Sequence, residues 1–184
     1  MRNPSKPFVA AVAAVSGGGK TTVVRALQKK LACSQALYFD NYEFDSPEDI
    51  CAWVERGANM KEWGLTPLVE DLQNVLSGKG RAVDYVFLDY PFAYLHDDMS
   101  GCIDLAVFID TPLDVAMARR ILREYKNSSI DRAITDASHY LTRGRRAYEE
   151  MLVTVKPSSD FIIDGCLPVQ DIVNEVVAQI QLFR

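Results

Sequence analysis

No hydrophobic run in this chain approaches membrane-spanning length. The longest unbroken apolar stretch is residues 8–15, half of them alanine, against the roughly 20 residues a spanning helix needs. Cysteine is sparse too: Cys33, Cys51, Cys102 and Cys166 are scattered, with no C-x-x-C pair and no metal-ligand spacing to His96 or His139. That excludes a disulfide framework and a zinc module as organising features, and suits a reducing compartment. A basic excess is also missing, since 25 acidic residues outnumber 20 basic ones and leave a net charge of −5. A general nucleic-acid binder resting on a basic face is therefore not expected. The one local exception is a cluster of Arg119, Arg120, Arg123, Arg143, Arg145 and Arg146. There is no internal repeat or low-complexity tract, and 48% hydrophobic with 24% charged residues is the composition of an ordinary globular domain. A chain of 184 residues can build one substantial core, and one cytoplasmic domain is expected.

What is present starts at Ala14-Val15-Ser16-Gly17-Gly18-Gly19-Lys20-Thr21-Thr22, directly after the apolar run. Strand, glycine loop and helix start is the context of a phosphate grip: glycines let backbone N–H groups converge on phosphate oxygens, and the helix adds its partly positive N-terminus. Lys20 then reaches the β- and γ-phosphates, and the Thr21 hydroxyl sits on Mg²⁺. Ser16, Gly17, Gly18, Gly19, Lys20, Thr21 and Thr22 are the candidate nucleotide-binding residues. The usual pattern opens with glycine where this chain has Ala14, and the additional Gly17 and Gly18 are expected to absorb the extra methyl.

Downstream, the pattern alternates between strand and helix. Val23, Val24, Leu27 and Leu31 recur at helical spacing, so a first helix should run to about Ala32. Residues 36–39 read as a buried strand ending on Asp40, which would face the same crevice as Lys20 because functional groups collect at the carboxyl ends of parallel strands. Ser46-Pro47 reads as a helix start, Thr66-Pro67 as another, and residues 46–78 as an acceptor-binding insert. Trp53 and Trp63 lie in it as stacking or packing residues. A third strand over residues 82–88 ends on Asp89, a candidate Mg²⁺ ligand with Thr21; Tyr94, His96, Asp97 and Asp98 follow in a polar segment. The fourth strand ends on Asp110. A helix with Val115, Ala118 and Leu122 on its apolar side carries Arg119, Arg120 and Arg123, and residues 124–137 look like a mobile lid. A long helix over residues 138–155, a fifth strand over residues 161–163 and an amphipathic last helix complete the chain. Such alternation predicts an α/β fold in three layers, with a five-stranded mostly parallel sheet covered by helices on both faces.

With these residues in place, the chain resembles the uridine kinase-like branch of the P-loop kinases from about Phe8 to Ile180. Gly17 to Thr22 is similar to that family's phosphate loop. Tyr38-Phe39-Asp40-Asn41-Tyr42 is similar to its second-strand ending, where an aspartate serves as catalytic base. Residues 107–112 and 118–123 resemble its fourth strand and arginine-bearing helix, and residues 155–165 resemble the lead into its last strand and the loop near adenine. The chain departs from the family between Asp40 and Pro47, where it has no close match to the hairpin enclosing the base, and in the lid, where Asn127-Ser128-Ser129-Ile130-Asp131-Arg132 replaces a second basic pair.

The resemblance implies ATP-dependent phosphorylation of a hydroxyl on a small metabolite, a nucleoside first among them, with ATP and Mg²⁺ as cofactors. The implied catalytic set is Lys20, Asp40, Arg119, Arg120 and Arg123, the arginines neutralising charge on the transferring group. The expected partners are a small-molecule acceptor and, at most, a second copy of the chain, with no nucleic acid and no membrane. A different acceptor, such as a sugar acid, cofactor precursor, shikimate or antibiotic, and a regulatory P-loop NTPase stand as the alternatives.

Overall fold

The computed structural model describes residues 6–184. Its centre is β1 (Phe8–Ala13), fully buried along its length. Successive side chains of a strand point to opposite faces, and here both faces are covered. Val9, Ala11 and Ala13 enter one hydrophobic cluster, while Phe8, Ala10 and Val12 enter the other. A strand sandwiched in this way has no polar side to display, which is why the run reads as continuously apolar.

The other strands are β2 (Ser34–Tyr38), β3 (Tyr85–Asp89), β4 (Leu105–Asp110) and β5 (Phe161–Asp164). They lie in the order β2-β3-β1-β4-β5, and every adjacent pair is parallel. One face is covered by α1 (Lys20–Lys30) and α8 (Val169–Phe183), through Val23, Val24 and Leu27 on the first and Ile172, Val173, Val176 and Ile180 on the second. The opposite face holds α2 (Ile50–Glu55), α3 (Thr66–Leu76), a single-turn α4 (Asp97–Ser100), α5 (Leu113–Tyr125), α6 (Ile130–His139) and α7 (Arg145–Val153). Trp53, Leu68, Leu72, Met99, Ala116, Met117 and Tyr148 carry these helices into the first cluster, except α6, which packs on α5. The expected three-layer α/β sheet is the one formed.

Several boundaries differ from the sequence reading, each for a tertiary reason. The second helix begins at Ile50 instead of Ser46. Asp45 bridges to Gly64, whose N–H donates to the Asp45 carbonyl at 2.8 Å; this keeps the chain extended there, and the Asp49 carboxylate accepts from Ala52 N at 3.1 Å as the actual cap. The face that α5 buries is Ala116 and Met117, while Leu122 is 73% exposed. Small Ala116 is turned inward because the glycine loop packs on it at backbone distance. Within residues 124–137 the chain is largely helical, since α6 starts at Ile130. It continues into α7 through a π-type turn at Tyr140–Gly144, so the helix expected from residue 138 begins eight residues earlier.

Leu72 is fully buried where the insert meets the core. Leu72→Ala should cost about 2–5 kcal/mol of unfolding free energy, read from urea titration.

Candidate active site

The loop between β1 and α1 lies at the carboxyl edge of the sheet, at the crevice where strand order reverses between β1 and its neighbours. Gly17 (φ 80°) and Gly19 (φ 103°) take left-handed backbone conformations, which favour glycine. Gly17 is required twice over, because a Cβ there would lie 2.1 Å from the Ala116 carbonyl oxygen of α5. At Gly18 an added Cβ would fall 2.7 Å from the Ala14 methyl. The departure at Ala14 is thus accommodated by a missing side chain at Gly18. A buried hydroxyl holds the loop from the next strand over, with Thr111 Oγ1 donating to Gly18 O at 2.9 Å. Thr111 is in turn packed by Gly165, where a Cβ would be 1.9 Å from Thr111 Oγ1.

A cavity of about 390 Å³ opens over this loop. Ser16 to Thr22 line it on one side, and Asp40, Arg119, Arg123, Gly165 and Leu167 on the others. Asp40 reaches it from the single helical turn Phe39–Asn41 that follows β2. Lys20 folds back on its own loop, Nζ donating to Ala14 O at 3.2 Å. Burial holds its pKa below the usual lysine value, against the opposing pull of the Asp89 and Asp40 carboxylates. Thr21 Oγ1 donates to Asp89 Oδ2 at 2.5 Å. Burial pushes the Asp89 carboxyl above the usual range, with the Thr21 hydroxyl and the Lys20 charge opposing it. Thr21 and Asp89 therefore present two hard oxygen groups side by side, the donor type magnesium selects. Among the described residues no group of three or more His, Cys, Asp and Glu side chains could hold a metal. A cation here would complete its shell with phosphate oxygens and water, the usual pattern for Mg²⁺.

The structure thus brings together Lys20, Thr21, Asp40, Asp89, Arg119 and Arg123. Arg120, adjacent in sequence, does not line the cavity; its guanidinium contacts Asp136 and Tyr148 on the far side of α5. Arg119 Nη1 donates to Gly165 O at 3.2 Å, tying α5 to the end of β5. Trp53 is buried, with Nε1 donating to Asn59 O at 3.0 Å, and it packs edge-on against Trp63. Trp63 joins an aromatic group with Phe39 and Phe92. Tyr94 donates its hydroxyl to Asp160. His96 is buried with Nε2 2.9 Å from Trp63 O, and its Nδ1 accepts from Asp98 N. Thr111, Leu167, Val169 and Ile172 escaped the sequence reading. Only the place of Thr111 after a strand-ending carboxylate could have pointed to it.

No protein-family model matches the chain. It is 25% identical, over 95% of its own length and 96% of the relative's, to a uridine kinase from Streptococcus uberis. A second uridine kinase, from Bacillus pumilus, is 24% identical over 86% of this chain and 87% of that one. By sequence, the chain is uridine kinase-like. Its fold is shared with an unliganded sugar kinase from Janibacter (TM-score 0.59, 17% identity, 95% of both chains covered). The same holds for a shikimate kinase from Bacteroides thetaiotaomicron (TM-score 0.55, 18% identity, 95% and 98% covered). The glycine loop and the carboxylates beside it thus sit on a fold shared with both of these structures.

Two outcomes follow from this geometry. Gly18→Ala should cost about 1–3 kcal/mol of stability by overpacking. Ala14→Gly in the same chain should recover only part of it, because Val15 O would still lie 2.9 Å from the new methyl. Full additivity in a denaturation cycle would contradict the contact. Without Mg²⁺ or nucleotide, Asp89→Asn should flatten the fall in the melting temperature as pH rises from about 4 toward 7. A carboxyl whose folded pKa is raised binds more protons folded than unfolded, so stability falls as pH rises through that window.

Proposed function

We propose that this cleft transfers the γ-phosphoryl group of ATP to a hydroxyl of a small metabolite, with a nucleoside as the acceptor class that the uridine kinase relatives favour. The observation carrying this is the convergence of Asp40, Lys20, Arg119 and Arg123 around one cavity above the glycine loop. A phosphate loop alone is common to many nucleotide-binding proteins. An exposed carboxylate on the same cavity as two arginines is what transfer to a hydroxyl additionally requires.

The chain's own residues divide the work. The loop amides and the N-terminus of α1 bind phosphate oxygens, and Lys20 leaves the Ala14 carbonyl to pair with the β- and γ-phosphates. Thr21 and Asp89 would hold Mg²⁺, which would supply neutralisation of the phosphate charge. Asp40 accepts the acceptor's hydroxyl proton as its oxygen bonds to the γ-phosphorus and the bond to the β,γ-bridging oxygen breaks, the electron pair leaving with ADP. Arg119 and Arg123 stabilise the charge spread over the transferring oxygens. Leu167, Val169 and Ile172 give the cavity an apolar end suited to a nucleobase, opposite the loop. The insert over residues 46–78 holds the acceptor, and α6 with its flanking turns acts as the lid that keeps water from the phosphates. No helix of the described residues is long and apolar enough to cross a membrane, and a cytoplasmic setting with a reducing environment fits the four unpaired cysteines.

The reading is checked by ADP release with Mg-ATP across nucleosides, sugars and cofactor precursors. One acceptor class should stimulate turnover, and Lys20→Ala should abolish it. Asp40→Asn should lower transfer by about 10²- to 10⁴-fold while ATP affinity is essentially kept. Undiminished transfer in Asp40→Asn would remove the base from this scheme.

A further inference from the structure

Arg120 belongs to the same helix turn as the two cavity arginines but serves a different set of contacts. Arg119 and Arg123 are one turn apart and line the cavity. Arg120 projects about 100° further round the helix. Its root lies against the phosphate loop, since a Cβ on Gly17 would be 3.3 Å from Arg120 Cβ. Its tip reaches the lid. Nη2 pairs with Asp136 Oδ1 of α6 at 2.7 Å, and Nη1 donates to Tyr148 Oη of α7 at 3.0 Å. The Arg120 and Asp136 side chains are 22% and 13% exposed, and Tyr148 is buried, so this is a shielded connection whose fork geometry lysine cannot reproduce. From α7 the chain of contacts continues into the insert. Arg146 Nη1 lies 3.3 Å from Glu55 Oε1 at the end of α2, and Arg143 Nη2 lies 3.1 Å from Asp49 Oδ2 at its start.

We propose that Arg120 is a positioning residue that couples nucleotide occupancy of the phosphate loop to the placement of the acceptor insert, acting through α6 and α7. This rests on the phosphotransfer reading above and adds its order of assembly. Arg120 joins the loop, at its Cβ, to α6 and α7, and Arg143 and Arg146 carry the connection on to α2, so nucleotide and acceptor favour each other's binding. Linkage makes that effect reciprocal, with coupling factors typically about 5- to 150-fold.

The test is hydrogen–deuterium exchange of the intact chain with and without Mg²⁺ and a non-hydrolysable ATP analogue. In the native protein the analogue should slow exchange in the loop over residues 16–22 and also in α2, which lines no part of the nucleotide cavity. In Arg120→Gln the loop should still be protected by the analogue, and the protection of α2 should be lost. Tyr148→Phe removes only the hydroxyl that accepts from Nη1, so it keeps the fold and should lose part of the α2 protection. It therefore decides the matter if the glutamine variant is unfolded. Native-like α2 protection in a folded Arg120→Gln, native-like α2 protection in Tyr148→Phe where the glutamine variant is unfolded, or loop protection without α2 protection in the native protein, overturns the coupling. Loop protection lost in Arg120→Gln alone would place the guanidinium on the nucleotide instead, and also overturns it. If the native loop is not protected at all, the phosphotransfer reading fails first and the coupling falls with it.

Discussion

A glycine loop has almost no side chains with which to hold its own shape, so its conformation is imposed by whatever packs around it. In this protein three contacts impose it. The backbone of α5 at Ala116 closes on Gly17 so tightly that no Cβ fits between them. The Thr111 hydroxyl, buried at the end of β4, donates to the Gly18 carbonyl, and Gly165 at the end of β5 packs that threonine. The loop after β1 is therefore shaped by α5 and by the ends of β4 and β5, the next two strands on one side of β1. Register across the parallel sheet becomes a condition for the shape of the phosphate site.

The electrostatics follow from the same packing. Lys20 and Asp89 are both drawn into a low-dielectric crevice where each resists being charged, and each is the other's partial remedy. Two opposed charges held apart from water cost stability when nothing else is bound, and that cost is what a charged ligand relieves. Asp40, on the exposed turn beyond β2, acts on both groups through its charge and lines the same cavity. A buried carboxylate beside the Thr21 hydroxyl and an exposed one on the same cavity are the two that the proposed phosphotransfer uses.

Much of this was legible in the chain. The run at residues 8–15, the glycines after it and the strand-ending carboxylates Asp40, Asp89 and Asp110 mark the sheet and the edge where its chemistry gathers, because those signals are local. What was not legible depends on how elements rotate against each other. Helical spacing pointed Leu122 inward, but the Gly17 contact turns α5 so that Ala116 and Met117 face the core. The same rotation decides which arginines see the cavity, and three arginines within five residues carry no local sign of it. The late start of α2 depends on a bridge between Asp45 and Gly64, residues nineteen apart whose pairing no window of sequence contains. The helical nature of residues 130–139 was hidden by polar Asp131, Arg132, Thr135 and Asp136 interrupting a sparse apolar pattern.

The central claim is that the cleft moves a phosphoryl group from ATP to a hydroxyl. Its most direct test is to incubate the protein with Mg²⁺, γ-¹⁸O-labelled ATP and a pooled set of nucleosides and sugars, then follow the label by mass spectrometry. The account predicts ¹⁸O in a phosphomonoester of one acceptor class, formed in step with ADP. Label recovered only as inorganic phosphate, whichever acceptors are present, would contradict it.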